Sequence, residues 1–266
     1  MNRMLVVVFD NEKTAETGAH ALRKLDADGS ISLYAMDVIV KDAKGKVSVK
    51  EHTGQGPVGT GVGLAVGSLV GLLVGPAAIV LGAVTGTLIG LIRDLWASGV
   101  GLDFVGEAER VLTPGKVALV AEVEEEWVIP VDAAMAHTGG VVYRRTREAV
   151  EDAEISRDIT ALKSEMTSLQ TEVKHASAAA KASLVTKTAA VKTKLDEAVK
   201  RASDSVHTME QEAAAKAAAI KSQLTKSKGE AKVALEARKA RVEAAYKTRS
   251  AKLSKAWGLT KEALAA

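Results

Sequence analysis

The sequence predicts an α+β protein in three parts. Strand and helix patterns alternate over residues 1–52 and 102–146. A glycine-rich stretch with no charge from Gly56 to Ile92 interrupts them within residues 53–101. Residues 147–266 hold no Pro and two Gly, and they read as a long helical tail.

Met4–Phe9 (MLVVVF) is a β-branched run suited to a buried strand. Asp10 or Asn11 can cap the next helix, whose apolar positions Ala15, Ala19, Leu22 and Leu25 fall at helical spacing and which Asp28-Gly29 ends. Ile31–Val40 and Lys46–His52 are strands around the turn Asp42-Ala43-Lys44-Gly45. After the uncharged stretch, Phe104–Leu112 is a short helix stopped by Thr113-Pro114-Gly115, and Lys116–Val123 is a strand. Pro130–His137 is a helix with Pro in its first turn, Gly139-Gly140 ends it, and Val141–Arg144 is a last strand. The order βαββ, insertion, αβαβ predicts a ferredoxin-like sheet domain extended by one αβ unit. That sheet is expected to close without the tail.

The segment Gly54-Gln55-Gly56-Pro57-Val58-Gly59 fits a dinucleotide fingerprint but lacks the acidic residue about twenty positions on that such a site needs, because the next charge after Glu51 is Arg93. Its glycines follow another order. Gly59, Gly63, Gly67, Gly71 and Gly75 are four apart, as are Gly82, Gly86 and Gly90. In water each would cost a helix about 1 kcal/mol relative to Ala. In lipid, where unsatisfied backbone costs more, helix is enforced, and a small-residue face lets two backbones approach closely. Gly75-Pro76 divides the stretch into arms of 17 residues (Val58–Val74) and 16 residues (Ala77–Ile92). Each arm is roughly 25 Å long against a hydrocarbon core of roughly 30 Å. A tight glycine-zipper hairpin follows, set either in a membrane or between copies of the chain. Trp96 and Trp257 are candidate interfacial anchors.

The combination of LVVVFDNEKTAETGAHALRKLD, VIVKDAKGKVSVKE, the uncharged glycine-rich hairpin, and VLTPGKVALVAEVEEE with a short helix and GGVV is distinctive. It resembles the bacterial family called domain of unknown function twelve sixty-nine, whose members are described as membrane proteins. The resemblance covers residues 3–147 and leaves the tail outside. It implies the ferredoxin-like fold and membrane association, and no catalytic residues.

The tail is basic, with 20 Lys and Arg against 8 Asp and Glu over residues 174–261. As one unbroken helix, residues 146–257 would reach on the order of 160 Å. Ile155, Ile159, Leu162, Met166, Leu169 and Val173 form a short heptad-like seam. An eleven-residue repeat then takes over. Its registers run through Leu169, Val191, Leu224, Leu235, Tyr246 and Trp257, through Met209, Ile220, Val242 and Leu253, and through Val173, Leu184, Leu195 and Val206. This apolar stripe suits an interfacial helix on anionic lipid, a packing seam, or a solvated helix held by pairs such as Glu212–Lys216. Nucleic acid is the less favoured partner, since no aromatic residue lies between Tyr143 and Tyr246.

Little points to chemistry. Cys is absent, and the histidines His20, His52, His137, His175 and His207 are scattered. Ser68 and Ser98 have no evident base. Asp10, Asp26, Asp28 and Asp37 suit turns and caps, and Glu124-Glu125-Glu126 reads as a solvated strand end. No cofactor or metal is expected. Aromatic residues make up 3% of the chain, too few for one large globular core. The apolar run before Asp10 is too short for a secretory signal, so residence on the cytoplasmic side of a membrane is expected. The reading is a non-enzymatic, self-assembling, membrane-associated scaffold. Its alternatives are a soluble structural polymer and an anionic-polymer binder.

Overall fold

The computed structural model describes residues 1–54, 64–74, 99–147 and 150–265. Five strands form one antiparallel sheet: β1 (Asn2–Phe9), β2 (Ile31–Lys41), β3 (Val47–Gly54), β4 (Val117–Glu125) and β5 (Val141–Thr146), in the order β3-β2-β4-β1-β5. The helices are α1 (Glu12–Ala27), α2 (Leu64–Val74), α3 (Leu102–Val111), α4 (Ile129–His137), α5 (Val150–His175), α6 (Ala178–Lys226) and α7 (Gly229–Ala265). Without β3, α2 and α3 the chain reads β1-α1-β2-β4-α4-β5 in the order β2-β4-β1-β5, which is the ferredoxin-like arrangement. The expected extra αβ unit is therefore relocated. The pair α4–β5 completes the ferredoxin-like core, and the added strand is β3 on the outer edge of β2.

Both faces of the sheet are apolar, so both need cover. On one face α1 and α4 enclose Leu5, Val7, Phe9, Leu119, Ala121 and Val123. Asn11 caps α1 by accepting the Thr14 N–H at 3.0 Å. The Phe9 ring fixes how closely the chain approaches. A Cβ on Gly18 would lie 2.4 Å from Phe9 Cζ, and one on Gly140 would lie 2.6 Å from Phe9 Cε1.

On the other face α2 and α3 cover Met4, Val6, Ile39, Ala118 and Val120. This corrects the first hairpin arm over its described part. Ala65, Val66, Leu69, Val70 and Leu73 of α2 are buried against the sheet rather than against lipid or a second copy, and Ser68 is buried with them. Gly67 points outward, with nothing among the described residues within 4 Å of the place its Cβ would occupy, and Gly71 is partly exposed. Gly59, Gly63, Gly75, Pro76, Gly82, Gly86, Gly90 and Trp96 lie outside the described residues. Among those described, no helix is long and apolar enough to cross a membrane.

The tail is three helices rather than one. The chain breaks at Ala176-Ser177, where the Ser177 carbonyl accepts the Ala180 and Lys181 N–H groups, and again at Ser227-Lys228 before Gly229, whose φ is +56°. A single helix would leave its stripe in water, whereas breaks let the stripe pack. The chain divides into two compact units, residues 1–148 with 211–244, and residues 149–210 with 245–266. The tail that the sequence separates at residue 147 is thus shared between them.

In the second unit, Ile155 and Ile159 of α5 cluster with Leu195, Ala198, Ala202 and Met209 of α6 and Leu253 of α7. Leu162, Val206 and Tyr246 are partly buried against them. Met166, Leu169 and Val191 form a second cluster with Leu184 at its edge. Here the stripe is a packing seam.

The Phe9 contacts give a direct test. Gly18→Ala and Gly140→Ala each force a methyl group into the buried ring and should lower unfolding free energy by about 1–3 kcal/mol. Phe9→Leu should relieve much of that loss. Denaturant unfolding of the single and paired variants measures both effects.

Candidate functional site

Strand β4 carries a carboxylate inside the protein. Glu122 follows Ala118 and Val120 on the face covered by α2 and α3, and it is completely buried. Its Oε1 accepts from Lys216 Nζ at 2.7 Å, from Asn2 Nδ2 at 3.0 Å and from the Arg147 guanidinium. Glu212, one helical turn before Lys216 on α6, lies 2.6 Å from Lys216 Nζ and 2.5 Å from Arg147 Nη1. Lys216 Nζ also sits 4.8 Å from the centre of the buried Tyr34 ring. Two acids and two bases make the cluster neutral, and each is almost wholly out of water.

Burial pushes the Glu122 carboxyl up, but Arg147 and Lys216 outweigh it and hold the group below the usual carboxylate range. The same balance holds Glu212 well below that range. Both groups are therefore anions, and Lys216 and Arg147 are their required counterions.

A second set of contacts fixes the Gln211–Ala244 segment to the turn between α1 and β2. Gln223 Nε2 donates to the Asp26 carbonyl at 2.7 Å and the Ile31 carbonyl at 3.0 Å, while Ser32 Oγ donates to Gln223 Oε1 at 2.6 Å. Arg238 donates to Ser32 Oγ, the Gly29 carbonyl and the Ser30 carbonyl, each at 3.0 Å. Gly29 needs its φ of +81°, and a Cβ there would lie 3.3 Å from Leu235 Cδ1. Burial lowers the Arg238 guanidinium pKa and raises the Asp26 carboxyl, even though Asp26 also accepts the Leu33 N–H.

The strand-end acids correct the sequence reading. Glu125 is fully buried, with Arg3 Nη1 at 3.1 Å and Arg144 Nε at 3.3 Å, and burial raises its carboxyl pKa. Glu124 is nearly buried and pairs with the Met1 ammonium at 2.8 Å. Glu126 alone of the three is half exposed, 2.9 Å from Arg241. Glu212 and Lys216 are likewise a core pair rather than a solvated one.

The predicted stripe residues are dispersed. Ile220, Leu235 and Val242 are buried in the first unit, with Leu224 partly buried. Leu169, Val191, Leu195, Met209 and Leu253 are buried in the second, with Val173, Leu184, Val206 and Tyr246 partly so. Trp257 lies on α7, and its side chain is outside the described residues. The residues that sequence reasoning missed are Glu122, Arg147, Gln223 and Arg238. Glu122 carried a signal: a lone acid inside VALVAEV demands a cation.

Comparison with known proteins bears on part of this arrangement. Residues 60–160 match the family described as protein of unknown function DUF1269. The match takes in α2, α3, β4, α4, β5 and the first part of α5, including Glu122 and Arg147. It begins later and ends later than the resemblance read over residues 3–147, and it leaves Glu212 and Lys216 outside. No curated protein and no solved structure matches the chain.

Breaking the cluster and replacing it should differ sharply. Lys216→Met leaves two buried acids with one cation and should cost about 3–5 kcal/mol. Exchanging Glu122, Arg147, Glu212 and Lys216 together for Leu or Met should cost far less. Denaturant unfolding distinguishes the two.

The pH dependence has a definite sign. The folded pKa values of Glu122 and Glu212 are depressed, so their stabilisation is present above the ordinary value of about 4.3 and lost as pH falls below it. Melting temperature should drop on acidification in the wild type and drop less in the fourfold variant.

Proposed function

We propose that this protein is a non-enzymatic, self-assembling scaffold that gathers copies of itself on an anionic membrane surface. The observation that carries the reading is the outward glycine face of α2. The helix is anchored by its apolar side chains, and Gly67 faces outward with no neighbour within 4 Å among the described residues. A second helix can approach a bare backbone closely there, as small-residue faces allow.

The lipid contact is assigned to the basic tail. Lys200, Lys221 and Lys232 are exposed while the apolar stripe is packed inside, so attraction to anionic headgroups falls to surface charge. The packing of α2 on its own sheet, away from lipid, also favours a second reading, a soluble polymer that assembles through the glycine face without a bilayer.

Sedimentation and vesicle flotation of the full chain separate these readings. The scaffold should form oligomers and float with anionic vesicles, and salt should weaken flotation because screening acts over about 8–10 Å. Gly67→Leu has room at its own site and should reduce oligomer size without lowering the melting temperature. Changing Lys200, Lys221 and Lys232 to Gln should reduce flotation and spare assembly. Oligomers without flotation would select the soluble polymer, and unchanged oligomers in Gly67→Leu would remove the glycine face as the contact.

A further inference from the structure

The α5–α6 hairpin of the second unit contains a groove that its own packing leaves open. Two residues, Ala176 and Ser177, join the helices, so they run antiparallel. Large side chains close the seam at Met166, Leu169 and Val191. On the flank of that seam α6 presents the small Thr188 and Ala189 towards Gln170, Val173 and Lys174 of α5. The small residues leave a groove of about 450 Å³, bordered also by Val185 and Lys192. That volume falls in the range of roughly 300–1,000 Å³ typical of small-molecule sites.

Three features define its occupant. Val185 is 57% exposed, an uncovered apolar wall. Thr188 Oγ1 donates to the Leu184 carbonyl at 2.8 Å, so that hydroxyl demands no polar partner from a ligand. The charge is one-sided. Residues 173–195 carry Lys174, Lys181, Lys187, Lys192 and Lys194 with no acid between Glu172 and Asp196. Neither Lys174 nor Lys192 pairs with a carboxylate among the described residues.

We infer that this groove binds a single-chain anionic amphiphile, with the acyl chain along Val173, Val185 and Ala189 and the acidic head at Lys174 and Lys192. An apolar floor alone would accept many molecules, and lysines alone would accept any anion. Their combination selects a molecule that is apolar along its length and acidic at one end. The site is separate from the glycine face and the scaffold reading, since it requires neither assembly nor a bilayer.

The test is calorimetric titration of the full chain with palmitate below its micellar concentration and without vesicles. Saturable binding of about one palmitate per chain is expected, with zwitterionic palmitoyl lysophosphatidylcholine at least about tenfold weaker. Ala189→Leu fills the groove with an apolar side chain and should weaken palmitate at least about tenfold while leaving the melting temperature equal or higher. If that variant melts lower, Lys174→Gln with Lys192→Gln carries the test, because both side chains are at the surface. That pair should remove the preference for palmitate over the zwitterion. Absence of saturable palmitate binding overturns the site, as does binding that both variants leave unchanged. Binding to anionic vesicles without binding to monomeric palmitate overturns it too, and leaves the membrane-surface reading standing.

Discussion

A carboxylate that cannot reach water organises the first unit. Glu122 occupies a β4 position between Val120 and Glu124 on a covered face, where an isolated charge would be prohibitively costly. Arg147 reaches it from just beyond β5, and Lys216 reaches it from α6, far along the chain. Glu212 then balances the second cation, and Tyr34 supplies a ring face to Lys216. The sheet domain thereby requires a tail segment to complete its charge balance. Hydrophobic burial alone would let a helical hairpin slide along an apolar face, whereas charge pairing fixes one register. Gln223 and Arg238 add a second fixed point at the Asp26–Ser32 turn, so the segment is held at two places.

The two faces of the sheet are finished by different means. One takes the ferredoxin-like helices α1 and α4, drawn close around Phe9 by Gly18 and Gly140. The other takes α2 from the uncharged insertion and α3, which follows it. This division explains how a segment with the composition of a membrane hairpin can also be globular core over Leu64–Val74. A helix of Leu, Val and Ala with interspersed glycines has no polar face to choose, so any apolar surface suits it. The sheet presents such a surface within the same chain.

The second unit shows the limits of an alanine-rich seam. Ala198 and Ala202 let helices approach closely but bury little area each, and the larger anchors Ile155, Ile159, Leu195 and Leu253 are spaced between them. Beside the seam of Val191 and Leu184, the small Ala189 and Thr188 leave the flank between α5 and α6 unfilled. The groove is the direct result of that local shortage.

Periodicity and punctuation made the elements legible. Alternating and β-branched runs located the strands, Asn11, Pro130 and Gly139 marked helix ends, and the spacing of Ile155, Ile159, Leu162 and Met166 marked a seam. These signals are local, set by backbone and side chains within one or two turns. Whether a stripe meets lipid, a sister helix or a sheet depends on distant residues, and the pattern is the same in each case. The placement of β3 outside the core strands, the packing of α2 on the sheet and the breaks at Ala176-Ser177 and Ser227-Lys228 were therefore decided by the tertiary structure. So was the conversion of Glu212–Lys216 from a surface pair into a buried one. A helical pair at that spacing looks identical in water and in a core, and only the presence of Glu122, Arg147 and Tyr34 around it makes the difference.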